Sequence, residues 1–157
     1  MTLQSQLDLE LTNIGSGGAA NVAVDEEPRQ LLCEIVERNA LAISFTVLRL
    51  STAELANSAV ADLERFGKSL SSRLTYLMEP ISPIELDSAA CVVQLRSTPP
   101  QQDDDGRSYY ELMVRRGGEI SLRRFRKVAG VSRQPIAANV TREVLLRLVG
   151  DFCAVLG

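Results

Sequence analysis

A chain of 157 residues, 45% of them hydrophobic and 24% charged, has the size and composition of one globular domain. It contains no histidine, which excludes a Ser-His-Asp triad, a Cys-His pair and a histidine-ligated zinc. Its formal charge of −3 gives no global attraction to nucleic acid or to an anionic membrane surface.

No apolar run approaches the roughly 20 residues that span a bilayer. The start, MTLQSQLDLE, lacks the basic and apolar regions of a secretory signal. Cys33, Cys91 and Cys153 are odd in number, dispersed and without a CxxC pair. They read as reduced, buried thiols of a cytoplasmic protein. No cofactor and no metal site is expected.

Residues 1–27 carry five acids and no base, and hold Gly15, Gly17 and Gly18. They read as a loosely attached arm, with residues 28–157 forming a single α+β domain. Leu3, Leu7, Leu11 and Ile14 fall at helical spacing, while Leu7, Leu9 and Leu11 alternate as in a strand, so the periods conflict. Asp25-Glu26-Glu27-Pro28 is a favourable helix entry. Leu31, Leu32, Ile35 and Val36 then share a helical face that Asn39 can end, with a hairpin through 31–49 as the alternative. Leu41, Ile43, Phe45 and Val47 alternate with polar or small residues and predict a strand. Ser51-Thr52-Ala53-Glu54 has the form of a capping box. Behind it, Leu55 to Leu77 recur every three or four residues and predict a long helix over about 52–78, ended by Pro80 and Pro83.

Ile84-Glu85-Leu86 predicts a short strand, Asp87-Ser88 a turn, and Cys91, Val93 and Leu95 a further strand. Residues 99–106, PPQQDDDG, have the composition of an exposed loop. In YYELMVRRGGEISLRRFRK, a three-residue turn at Arg116-Gly117-Gly118 sorts the flanking side chains cleanly. One face pairs Val114 with Ile120, Leu112 with Leu122 and Tyr110 with Arg124. The other pairs Arg115 with Glu119, Met113 with Ser121, Glu111 with Arg123 and Tyr109 with Phe125. A slip of one residue destroys this segregation. A last helix is capped by Asn139 or Thr141 and buries Val144, Leu145, Leu148, Val149 and Phe152; Gly150 within it marks a close packing contact. The expected whole is a single antiparallel sheet of about five strands, backed by a long central helix and a C-terminal helix.

Four stretches invite a chemical reading. Gly15-Ser16-Gly17-Gly18-Ala19-Ala20 approximates a dinucleotide fingerprint, but Pro28 cuts the required helix short and no βαβ unit follows. Glu10-Leu11-Thr12-Asn13-Ile14-Gly15-Ser16-Gly17-Gly18-Ala19-Ala20 resembles the E-x-x-N-I-G-x-G-N-A-A segment of the CheC-type chemotaxis phosphatases, departing from it at Gly18. That resemblance implies an enzyme in which Glu10 and Asn13 orient a water attacking a phospho-aspartate; the plain reading is a flexible glycine linker. Asp103-Asp104-Asp105 lacks the alternate spacing of a calcium loop.

From Arg107 to Arg133 there are eight bases and two acids, with aromatic residues among them. Arg115, Arg116, Arg123, Arg124, Arg126, Tyr109 and Phe125 are therefore the candidate binding residues. They suit an acidic polypeptide or, less readily, single-stranded nucleic acid, and a solvated, partly paired sheet face is the plain reading. The order helix, strand, long helix, antiparallel run, helix over about 30–157 resembles type III secretion chaperone-like domains. The resemblance implies a non-catalytic, cytoplasmic, homodimeric module that binds a protein segment, with no membrane association.

Overall fold

A computed structural model describes residues 1–157 as three helices and one antiparallel sheet of ten strands. In chain order the elements are α1 (Leu3–Ile14), β1 (Ala20–Glu26), β2 (Arg29–Arg38), β3 (Ile43–Thr52), α2 (Val60–Arg73), β4 (Ile81–Asp87), β5 (Val92–Ser97), β6 (Gln101–Gln102), β7 (Gly106–Arg115), β8 (Glu119–Val128), β9 (Gln134–Ile136), β10 (Ala138–Val140) and α3 (Arg142–Leu156). The main path of the sheet runs β1-β2-β3-β8-β7-β5-β4. α3 packs between α1 and α2, and all three lie on one side of the sheet. The opposite side is free of helices.

Residues 1–27 are not a loose arm. Thr2 caps α1 by accepting the Ser5 N–H, and Leu3, Leu7 and Leu11 are buried on its inner side, so the helical period prevails over the alternating one. Leu9, which fits only the alternating pattern, is exposed. The helix expected after Pro28 is instead β2. Glu27 and Pro28 form the two-residue connection of the β1–β2 hairpin, with Glu26 facing Arg29. Leu31, Cys33 and Ile35 bury at a period of two against Val24, Val22 and Ala20. Pairing on both sides of β2 overrides a weak helical pattern that the same residues satisfy. The Asn39 carboxamide oxygen accepts the N–H groups of Leu41 and Ala42, closing the β2–β3 turn rather than ending a helix.

Thr46 bulges from β3, since Glu34 faces Val47 while the next residue, Ile35, faces Phe45. The bulge reverses which side later residues face. Ile43, Phe45, Leu48 and Leu50 join the core, whereas Val47 and Arg49 point to the helix-free side.

The long helix is shorter than its apolar pattern. Thr52, not Ser51, accepts the Glu54 N–H and starts a single 3-10 turn at Ala53–Leu55; α2 begins only at Val60, where the Asp62 carboxylate accepts the Ala59 N–H. Leu55, Leu74 and Leu77 are nonetheless buried. Burial periodicity therefore extends beyond the helix that carries its middle. Gly67 lets α2 approach β5: a Cβ there would sit 2.9 Å from Val93 Cγ1.

The β7–β8 hairpin has the predicted register at every pair from Tyr109–Phe125 to Arg115–Glu119. Val114, Ile120, Leu112 and Leu122 are fully buried beneath the helices. β3 and β8 pair only over Leu48–Ser51 and Glu119–Leu122, then fork. The chain turns inside this fork, β9 following β8 and β10 following β3. These short strands, with β6, account for part of the excess over five. Thr141 caps α3 through the Val144 N–H, and Gly150 meets Gln4 of α1, whose amide donates to the Leu146 carbonyl at 2.9 Å.

Candidate functional site

The glycine stretch after α1 is a helix terminus held by one arginine. Gly15, at φ +61° and ψ −151°, takes an extended positive-φ conformation open to glycine, which ends the helix, and donates its N–H to the Leu11 carbonyl. Gly17 exchanges two backbone hydrogen bonds with Arg38. The Arg38 guanidinium then donates to the carbonyls of Gly15 (2.8 Å), Gly18 (2.6 Å) and Ile14 (3.3 Å). A cation at a helix C-terminus is stabilised by the dipole, by about 0.3–1 kcal/mol. The stretch bends, and the bend is locked. Glu10 and Asn13 lie one turn apart on α1, Asn13 exposed and Glu10 half-buried.

The basic cluster is divided among three places. Arg124, buried, faces the helix side: its guanidinium lies 2.9 Å from Glu79 and stacks over the Tyr110 ring at 4.5 Å. Arg126 binds Asp103 through two 3.0 Å hydrogen bonds and so fastens the acidic loop to β8. Asp103 also accepts the N–H groups of Asp105 and Gly106. With Arg126 the foremost cause, these bonds hold its carboxyl at about 2. The three consecutive aspartates thus open a turn.

Tyr109 and Phe125 do face the helix-free side, as a tilted pair with centroids 6.1 Å apart. They are sealed from solvent by arginines. Arg96 lies over Tyr109 at 4.5 Å and Arg133 over Phe125 at 3.8 Å. Both guanidiniums bind Glu111, Arg133 in bidentate fashion, and Gln94 donates to the same carboxylate at 2.8 Å. Burial opposes ionisation of Glu111, but Arg133, then Gln94 and Arg96, overcome it and depress its pKa. Glu111 faces Arg123 in the register, yet its ion pairs are with Arg96 and Arg133, and Arg115 forms none with Glu119. The register is as predicted; the ion pairs are not.

Arg115, Arg116 and Arg123 remain exposed and make no side-chain hydrogen bond or ion pair. Arg49, absent from the sequence-based candidates and half-buried, likewise makes no side-chain hydrogen bond or ion pair. It lies opposite Ser121, on the same side of the sheet as Arg123 and next to where β3 and β8 fork. Its position follows from the bulge at Thr46, which a strict alternation conceals. Acids share this side: Glu34 on β2 and Glu119 on β8 lie among the arginines, and Asp25 on β1 and Glu85 and Asp87 on β4 lie at its margins. Arg96, Arg133, Glu111 and Glu79 were likewise missed, because each acts through partners distant in sequence.

No protein-family model matches the chain, and no curated protein or solved structure matches it either. No helix is long and apolar enough to cross a membrane.

Proposed function

We propose that this chain is a non-catalytic, homodimeric protein-interaction module that engages acidic polypeptide surface through the helix-free side of its sheet. The observation that carries this reading is the set of guanidiniums without a side-chain partner on a side that no helix covers, Arg49, Arg107, Arg115 and Arg123, with Arg116 exposed beside them in the hairpin turn. An unpaired surface cation keeps its full charge for a partner and steers association. The acidic margins at Asp25, Glu85 and Asp87 give that side the complement needed by an offset second copy. The resemblance to secretion chaperone-like domains points the same way. Of the five candidate arginines, Arg124 and Arg126 are already committed to Glu79 and Asp103, which leaves fewer cations for a nucleic-acid backbone.

Sedimentation velocity tests the dimer, and fluorescence anisotropy with a glutamate-rich peptide and a single-stranded oligonucleotide tests the partner. We expect a dimer that weakens with salt, peptide binding stronger than oligonucleotide binding, and loss of both dimer and peptide binding in Arg49→Glu/Arg123→Glu. A monomer at all concentrations removes the homodimer. Tighter binding of the oligonucleotide, or a double variant that behaves as wild type, overturns the reading.

A further inference from the structure

We propose that the cavity between the end of α1 and the start of α3 binds a small organic oxyanion, a carboxylate or a phosphate monoester. This site is separate from the helix-free side and does not depend on the reading of it.

The cavity has a volume of about 240 Å³ and two arginines, Arg38 and Arg142, in its lining. Its polar lining is completed by Thr12, Ser16 and Asn39, and no acid is among its residues. Arg38 uses three of its five N–H groups on carbonyls and touches no carboxylate. Its charge is met only by peptide dipoles. Arg142 uses Nε and Nη2 on Asp8 and Thr12, the ion pair being 2.7 Å, and its Nη1 makes no bond. Asn39 spends its oxygen on two backbone N–H groups, which leaves its amide nitrogen to donate. The Ser16 hydroxyl has no partner.

Donors are thus in surplus. One acid, Asp8, stands against two guanidiniums, so the site carries an excess positive charge. Charge-assisted hydrogen bonds from arginine suit the oxygens of a carboxylate or phosphate. Leu11, Ile43, Ala40 and Ala42 supply an apolar wall for a short carbon stem. The volume lies below the roughly 300–1,000 Å³ of drug-sized pockets, which fits a small anion. Gly17 suits this arrangement, because a Cβ there would lie 3.0 Å from Arg38 Nη2 and the guanidinium would have to give by a few tenths of an ångström.

The test is a titration of the full chain, followed by backbone amide NMR at constant ionic strength, with methyl phosphate in one arm and butyrate in the other. We expect saturable shifts confined to Gly15, Ser16, Asn39 and Arg142, with dissociation constants on the order of 1 mM. Ala40 lines the cavity in an exposed turn, so Ala40→Asp keeps both arginines in the chain and adds a carboxylate that competes with the anion for them. It should weaken binding about tenfold or more. Arg142→Gln serves as a second variant should that one fail to fold, and should weaken binding similarly. Saturation by one probe alone supports the proposal and assigns the head group. Absence of localised shifts with both probes, or equal shifts in the folded variants, overturns it.

Discussion

Leu7→Ala decides whether α1 belongs to the core. Leu7 is completely buried, and its neighbours in the core come from the helix and the sheet alike. Truncation removes three buried carbons and leaves a cavity that the rigid sheet cannot collapse into. Such changes cost about 2–5 kcal/mol. For a chain of this length each kcal/mol lowers Tm by roughly 2–4 °C, so a mid-range cost of about 3 kcal/mol predicts a fall of roughly 6–12 °C. Leu9, two residues away and 49% exposed, is the control, and Leu9→Ala should stay within about 0.5 kcal/mol of wild type. Both variants keep helix propensity nearly constant, since leucine and alanine are both strong helix formers. Thermal and urea unfolding, followed by circular dichroism, give the two values. Equal and negligible effects at both positions would mean that α1 rests on the surface without sharing the core, as a loose arm does.

Gly67→Ala should destabilise despite the gain of about 1 kcal/mol in helix propensity, because its Cβ meets Val93, a stiff and buried β-branched side chain. A net loss of roughly 1–2 kcal/mol in urea unfolding is expected, and a stabilised variant would contradict the close α2–β5 approach. Glu111→Gln leaves Arg96 and Arg133 facing each other without a carboxylate. With both arginines over a third or near a third exposed, solvent screens much of the cost, and a loss of about 1–3 kcal/mol should appear in the same assay. The Asp103 carboxyl should titrate near 2 in a carbon-detected NMR experiment and rise toward about 4 in Arg126→Ala. Because the folded pKa is depressed, the stabilisation from this pair is complete above about pH 4 and is lost as pH falls toward 2. Unchanged titration in Arg126→Ala would remove Arg126 as the cause.

What the sequence made legible was local and two-sided. The β7–β8 hairpin could be read to the residue because Gly117-Gly118 set the turn and both faces constrained the pairing at once. The C-terminal helix was legible for the same reason, since a stripe and a glycine at a crossing agreed with a cap at Asn139 or Thr141, of which the structure uses Thr141. Residues 29–38 were not, because Leu31, Leu32, Ile35 and Val36 satisfy a helical stripe about as well as Leu31, Cys33 and Ile35 satisfy a strand. The choice is made by β1 and β3, which bond to both edges of β2. β9 and β10 are three residues each and exist because β3 and β8 part company. No pattern within 134–140 encodes a fork elsewhere in the sheet.

The basic cluster shows why charge counted along a chain overstates a binding face. Eight bases against two acids between Arg107 and Arg133 describe one strand pair and its following loop. Strand parity immediately sends Arg124 to the helix side, away from Arg123 and Arg115. The counter-charges then arrive from outside the counted segment: Glu79 from the connection after α2, Asp103 from the loop before β7. Arg96, from β5, shares Glu111 and so frees Arg123 from the acid directly opposite it. Geometry thus removes Arg124, Arg126 and Arg133 from the free charge and adds Arg49, which a bulge at Thr46 turns outward. The face left for contact is smaller than the sequence count, centred one strand nearer to β2, and defined by which arginines lack a partner.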